Sequence, residues 1–229
     1  MKNGEMICGR FLSRPNRFIA YVEIGGREEV CHVKNTGRCK ELLLPGVSVW
    51  CRYHDDPARK TSWSLICVQK GDRLINMDSQ APNKAAYDYV KAGGLGFVPD
   101  IVKPEQTYGS SRFDLYYEAG KHRGFVEVKG VTLEDGGVVR FPDAPTQRGR
   151  KHLLELAKAV EDGFEAWILF VVQMENVLHF EPNRATDPEF ADALAYAAAH
   201  GVHVKAAECA VTPDSMTVTR EVPVRLKKR

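Results

Sequence analysis

The stretch "RFIAYVEIGGREEVCHVKN" constrains the fold most. Apolar and polar residues alternate on both sides of Gly25-Gly26. A Gly-Gly pair between two alternating runs is a strong signal for a β-hairpin with a two-residue turn. "VSVWCRYH" and "TSWSLICVQ" read as further strands around a polar "DDPARK" loop, and "RLINMD" as a shorter one. About five short strands with little helix in the first ~75 residues point to a small closed barrel, because closure removes the exposed edges of so small a sheet.

The pattern then changes. "APNKAAYDYVKAGG" reads as a helix ending at Gly93-Gly94, which places a domain boundary near Gln80. Residues 1–80 form the expected barrel and residues 81–229 a mixed α/β domain. In the second part, strands are expected at Arg112 to Glu118, Gly124 to Val131 and Val138 to Phe141. A helix is expected from Gln147 to Glu161, with Thr146 as N-cap and Gly163 as its stop. "EAWILFVVQM" reads as a strand covered on both faces, the centre of a sheet, with "ENVLHFEP" pairing back to it. A last helix from Pro188 behind Asp187 leads to the strand "VHVKAAECAV", and the basic "RLKKR" tail reads as solvated and loose.

Composition excludes several classes. With 44% hydrophobic and 27% charged residues the chain is of the ordinary globular kind. Its longest apolar run, "AWILFVV", is far too short to span a bilayer, and "MKNGEMICGRF" lacks the apolar core of a signal peptide. No membrane partner is expected, and the default compartment is the cytoplasm. The six cysteines contain no C-x-x-C pair, so a structural zinc site is unsupported. The net charge of +2 divides into +4 over residues 1–79 and −2 over the rest, which permits a nucleic-acid partner without requiring one.

One stretch carries chemistry. "SRFDLYYEAGKHRGFVEVKG" reads as two strands, yet holds Asp114, Glu127 and Lys129 within them. With Gly120-Lys121 as a two-residue turn, Asp114 lies opposite Glu127, and facing side chains on neighbouring strands have Cβ atoms ~5 Å apart. Lys129 projects from the face of Glu127. Two carboxylates this close repel unless a proton or cation lies between them, and a hard divalent cation such as Mg²⁺ or Mn²⁺ prefers carboxylate oxygens. A Glu-x-Lys triplet alone is weak evidence, since about one is expected in a chain of this composition. The facing Asp114 adds the weight. Arg148, Lys151 and His152 fall at the start of a helix, a position suited to phosphate contact.

An Asp on one strand followed by Glu-x-Lys on the next resembles the PD-(D/E)xK nuclease superfamily. "NTG" at Asn35 to Gly37, "SRFDL", "VEVKGVTL", "FPDAPTQRGRKHLLEL" from Phe141, and "VPV" near the C-terminus resemble one narrower group, the sugar fermentation stimulation protein A family. The resemblance implies an OB-type barrel followed by a nuclease-like α/β domain with a mixed central sheet. It carries Asp114 and Glu127 over as metal ligands and Lys129 as the residue that orients water. It adds Glu105 as a further ligand candidate, with Asp143 supporting the site from behind. Gly130 departs from the Ser or Asn that commonly follows the lysine.

OB-folds grip single strands with basic grooves and stacking aromatics. Arg17, Lys34, Asn35, Thr36 and Arg38 are the nucleic-acid-binding candidates, with Arg14 and Lys40 as further cations. Of Phe18, Trp50 and Trp63, most are expected in the core, since a barrel this small needs them inside. The leading expectation is a DNA-binding protein that hydrolyses phosphodiesters with Mg²⁺ or Mn²⁺. The alternatives are a non-catalytic DNA-binding regulator of sugar-utilisation genes and an OB-fold RNA-binding module.

Overall fold

A computed structural model describes residues 1–35, 37 and 39–226; Thr36, Arg38 and the last three residues of the tail lie outside the described residues. Six strands form the first sheet: Met6–Asn16 (β1), Ile19–Ile24 (β2), Arg27–Val33 (β3), Ser48–Tyr53 (β4), Trp63–Lys70 (β5) and Arg73–Asn76 (β6). Their order is β3-β2-β1-β4-β5-β6, and a parallel pairing of β3 with β5 closes the first five into a barrel. Gly25 and Gly26 both have positive φ (58° and 77°), the conformation that a two-residue hairpin turn of matching twist demands. Ala20, Val22, Cys31, Val49, Cys51 and Leu65 fill the interior, together with Phe11 from β1.

The sequence reading counted five staves but not these five. β1 carries Gly9, Pro15 and two register shifts against β2, so its alternation is broken where a simple period would reveal it. "RLIN" is instead an extra strand outside the closed ring.

Helix α1 (Ala81–Lys91) leads to the second large sheet. Its strands are Ile101–Tyr108 (β7), Ser111–Ala119 (β8), His122–Val131 (β9), Glu165–Val172 (β12), His203–Val211 (β14) and Met216–Val222 (β15). They run in the order β15-β14-β12-β9-β8-β7, with β12 parallel to both β9 and β14. β12 is therefore the covered central strand its apolar run implied. Leu133–Asp135 (β10), Val138–Phe141 (β11) and His179–Pro182 (β13) make a small separate sheet. β13 pairs in parallel with β11, not back onto β12 as its adjacency in sequence suggested.

Two further helices, Gln147–Glu161 (α2) and Pro188–Ala199 (α3), pack on one another. Their N-caps are tied together: Thr146 Oγ1 accepts from Gly149 N–H at 3.0 Å, and Asp187 accepts from Phe190 N–H at 2.9 Å and from Thr146 N–H at 2.8 Å. The start of the basic tail is not loose, since Arg225 N–H donates to the Phe180 carbonyl at 2.9 Å.

Barrel and α/β region share their cores. One apolar cluster runs from Phe11, Leu65 and Met77 to Phe113, Phe170 and Leu156, and a second joins Ile66 and Cys67 to α1, Leu115, Val126 and Val171. Polar groups stitch the same seam. Asn76 N–H donates to the Gln173 carbonyl at 3.0 Å, and the Gln173 amide donates to the Asn76 carbonyl at 2.9 Å.

Candidate metal centre

The hairpin β8–β9 carries the acids. Pairing runs from Ala119↔His122 to Leu115↔Val126, the register set by a two-residue turn at Gly120-Lys121. Continuing it would place Asp114 against Glu127. At that step the Asp114 carboxylate takes a ladder role: Oδ2 accepts the Val128 N–H at 2.8 Å. Its Oδ1 accepts from the Asn83 side-chain amide of α1, also at 2.8 Å.

Glu127 is 2% exposed. Its Oε1 accepts from His152 Nδ1 at 2.6 Å and from the Lys129 ammonium. Its Oε2 is buried and has no hydrogen-bond partner among the described residues. An unpartnered buried carboxylate oxygen is costly, so such an atom calls for an explanation.

The two acids are tuned apart. Burial, then the Glu127 charge, push Asp114 above its ordinary value, against the pull of the Val128 N–H. Burial also works to raise Glu127, but the His152 hydrogen bond and the Lys129 charge outweigh it and hold the group below the ordinary glutamate value. Glu127 is thus kept anionic by a buried histidine and a half-buried lysine, while Asp114 is the carboxyl more easily protonated.

Other candidates distribute around this centre. Glu105 has φ 53° and turns its exposed carboxylate to Arg112 at 3.6 Å. His152 is buried against Glu127, which makes it a holder of the acid rather than a surface contact for phosphate. Arg148 is exposed beside it, with Nε at 3.4 Å from His152 Nε2. Lys151 is exposed and donates to the Ser110 carbonyl at 3.3 Å. Asp143 presses on Gly37 so closely that no Cβ would fit there without displacing the carboxylate.

The "NTG" loop of the barrel thereby reaches the α/β site. A cavity of about 470 Å³ is lined by Asn35 and Gly37 on one side and by Lys129, Gly130, Asp143, Arg148 and Gln173 on the other. Asn35 Oδ1 accepts the Gly37 N–H at 2.8 Å, an Asx turn that shapes the loop. Arg14 donates to the carbonyls of Gly37 and Asn35 at 3.0 and 2.7 Å. Lys34 is paired with Asp78 at 3.2 Å, and Arg17 lies over the exposed Phe18 ring at 4.8 Å. Of the three barrel aromatics only Trp63 is core; Trp50 is half-buried and Phe18 exposed, so the expectation that most of them lie inside fails, the interior being filled by smaller apolar side chains and Phe11.

Two residues here carried no sequence signal. Asn83 and Gln173 lie far from the hairpin in the chain and belong to no motif. Gln173 also accounts for Gly130: a Cβ on that glycine would meet Gln173 Oε1 at 2.5 Å and Pro82 Cγ at 2.7 Å. The amide occupies the space a Ser or Asn side chain would need.

The donor set fits a hard divalent cation. Mg²⁺ is commonly held by one or two carboxylates with water and substrate oxygens completing the shell. Asp114 and Glu127 would supply the carboxylates, with the orphan Oε2 as a ligand atom. No group of three or more His, Cys, Asp or Glu is gathered for a metal among the described residues, so Asp114 and Glu127 have no third protein carboxylate beside them. No described helix is long and apolar enough to cross a membrane.

Comparison with known proteins extends over the whole chain. Residues 80–215 match the family model described as the sugar fermentation stimulation protein RE domain, and residues 12–77 match the model of the SfsA N-terminal OB domain. The sugar fermentation stimulation protein homolog of Clostridium beijerinckii is 53% identical over 226 residues, covering 99% of this chain and 100% of the relative. That of Desulfitobacterium hafniense strain Y51 is 55% identical, with 99% of each covered. The solved structure of Pyrococcus furiosus SfsA in complex with Ca²⁺ superposes with a TM-score of 0.86 at 30% identity, covering 98% of both chains. The chain belongs to the sugar fermentation stimulation protein family.

Proposed function

We propose that this chain binds DNA and hydrolyses its phosphodiester bonds with Mg²⁺ or Mn²⁺ at Asp114, Glu127 and Lys129. The observation that carries the reading is the buried, unpartnered Oε2 of Glu127 beside a second, half-buried acid and a lysine. A protein that only bound DNA would gain nothing from carboxylates gathered near phosphates. The Ca²⁺ named for the Pyrococcus relative is a hard cation of the same oxygen-seeking kind. An OB domain joined to the site by a shared cavity supplies a scaffold suited to nucleic-acid binding. The enzyme would act on DNA in the cytoplasm.

A divalent cation held by the two carboxylates would neutralise phosphate charge and make its water acidic enough to attack at neutral pH. The chain's own groups do the rest. His152 fixes Glu127 in one orientation through Nδ1, leaving Oε2 free to accept a ligand. Lys129, ion-paired to Oε1, is held where its ammonium can orient water and offset the charge that builds on phosphorus oxygens. Asn83 and the Val128 N–H hold Asp114 by one oxygen each, and each oxygen keeps a further lone pair. Arg148, exposed at the cavity wall, offers a phosphate contact.

Cleavage of single-stranded, duplex and branched DNA with Mg²⁺ or Mn²⁺, comparing wild type with Lys129→Ala, tests this reading. Metal-dependent cutting that is lost in the variant is the expected result. Binding without cutting in both proteins would overturn it in favour of a non-catalytic DNA-binding regulator. The Lys129–Glu127 pair favours that second reading to a degree, since it lets the site neutralise part of its own charge.

A further inference from the structure

The cavity at Lys129 does not stand alone. Arg148 also lines a neighbouring cavity of about 580 Å³, together with Ser110, Arg112 and Lys151. On the other side, Arg140 is shared with a cavity of about 380 Å³ that holds Arg184 and Arg225. Three cavities thus follow one another, joined by a shared arginine at each step, with the Lys129 cavity in the middle.

The cations along this path are largely available. Arg148 and Arg225 have no acid partner among the described residues; Arg225 meets His179 Nε2 at 3.4 Å. Arg112 and Arg184 are paired only with exposed acids, Glu105 at 3.6 Å and Asp192 at 2.7 Å. Exposed pairs of this kind contribute little, so a phosphate can displace them. Arg140 is held by Glu181 at 2.7 Å, which fixes its guanidinium at the junction rather than burying it.

We propose that a DNA strand threads all three cavities, so that the Lys129 site grips phosphates on both sides of the bond it cuts and cleaves within a strand rather than from an end. The proposal rests on the hydrolytic reading above and deepens it. Evenly spaced charge along a strand is matched by arginines, whose planar forks bind phosphate well. An enzyme that works inward from a terminus needs a grip on one flank and a group that recognises the end. Here both flanks carry cations. In the reaction, water adds across the ester: its oxygen bonds to phosphorus, the bond to one sugar oxygen breaks, and that oxygen leaves with a proton.

The test uses the full chain with Mn²⁺ and covalently closed circular DNA, as a single-stranded circle and as a supercoiled plasmid, beside linear DNA of the same length. Circles of at least one form opened at a rate within several-fold of the matching linear DNA are the expected result. Linear DNA shortened from its ends while circles stay intact would overturn the proposal and leave the hydrolytic reading standing. If nothing is cut, the hydrolytic reading fails, and the path is judged by binding of a fluorescein-labelled 30-nucleotide single strand. Arg140→Gln and Arg225→Ala, on separate elements, should each lower the slope of log K against log salt by about 1. Unchanged slopes in both variants, with unchanged melting temperatures, would remove the path.

Discussion

Two buried glutamates lie close together in the chain and have opposite surroundings. Glu134, 3% exposed, has every oxygen engaged: Oε2 accepts from Lys70 Nζ at 2.7 Å, while Oε1 takes the Gly137 N–H at 2.5 Å and faces Arg73 at 3.3 Å. Lys70 and Arg73 come from the end of the barrel, so Glu134 fastens the two parts together. Glu127 is buried as deeply, but its second oxygen has nothing to accept from. Burial alone does not tell a structural acid from a functional one. What differs is the count of satisfied lone pairs: a saturated carboxylate has no valence left for a ligand, and an unsaturated one does.

Substituting each acid should separate the two roles. Glu127→Gln is expected to lower metal-dependent cleavage by at least about 10²–10³-fold, the loss typical of one preorganised charge-stabilising group. The same assay on Glu134→Gln should show near wild-type rates at temperatures where the variant is folded. Equal losses in both would dissolve the contrast.

Stability should reverse the ranking. Glu134→Gln breaks a buried ion cluster whose cations are about 30% exposed, at a cost of about 2–3 kcal/mol, below the range for fully buried pairs. For a chain of this size that is a fall of roughly 4–12 °C in melting temperature. Its pH dependence has a definite sign. Burial works to raise Glu134, but Lys70 and the Gly137 N–H outweigh it and hold the group below its ordinary value of 4.5. The stabilisation is therefore complete above that value and disappears as pH falls through the lowered folded value. The wild-type advantage over Glu134→Gln, followed by denaturant melts from pH 6 to 3, should shrink below about pH 4.5.

Divalent cation gives a third separation. At 100 times its dissociation constant, Mn²⁺ should stabilise the wild type by about 2.7 kcal/mol. Glu134→Gln should keep that increment and Asp114→Asn should lose it, as read by calorimetry with and without a chelator. Gly130→Ala should have the smallest effect. Its Cβ meets Gln173 and Pro82, an overpacking worth about 1 kcal/mol, with a few-fold loss of cleavage if Gln173 shifts.

What could be read in advance follows from locality. The β8–β9 hairpin is set by a two-residue turn and an alternating pattern, so the neighbourhood of Asp114 and Glu127 followed from adjacent residues alone. The N-caps Thr146 and Asp187 were legible for the same reason. Asn83 and Gln173 were not, because each is a lone amide brought in by tertiary packing, with no periodicity to mark it. The placement of β13 beside β11 failed likewise, since its partner was chosen by the sheet and not by the nearest strand. Glu134 carries no local mark either, because its partners Lys70 and Arg73 come from the barrel.

The apolar clusters that cross the seam have a practical meaning. A gene cut at codon 80 would yield two polypeptides, each with a raw hydrophobic face where Met77, Ile66 or Val126 had been covered. Neither half would be a fair sample of what it does in the whole, and the barrel is no cassette to be moved onto another protein. The chain has two topologies but one cooperative unit, and it should melt in a single transition.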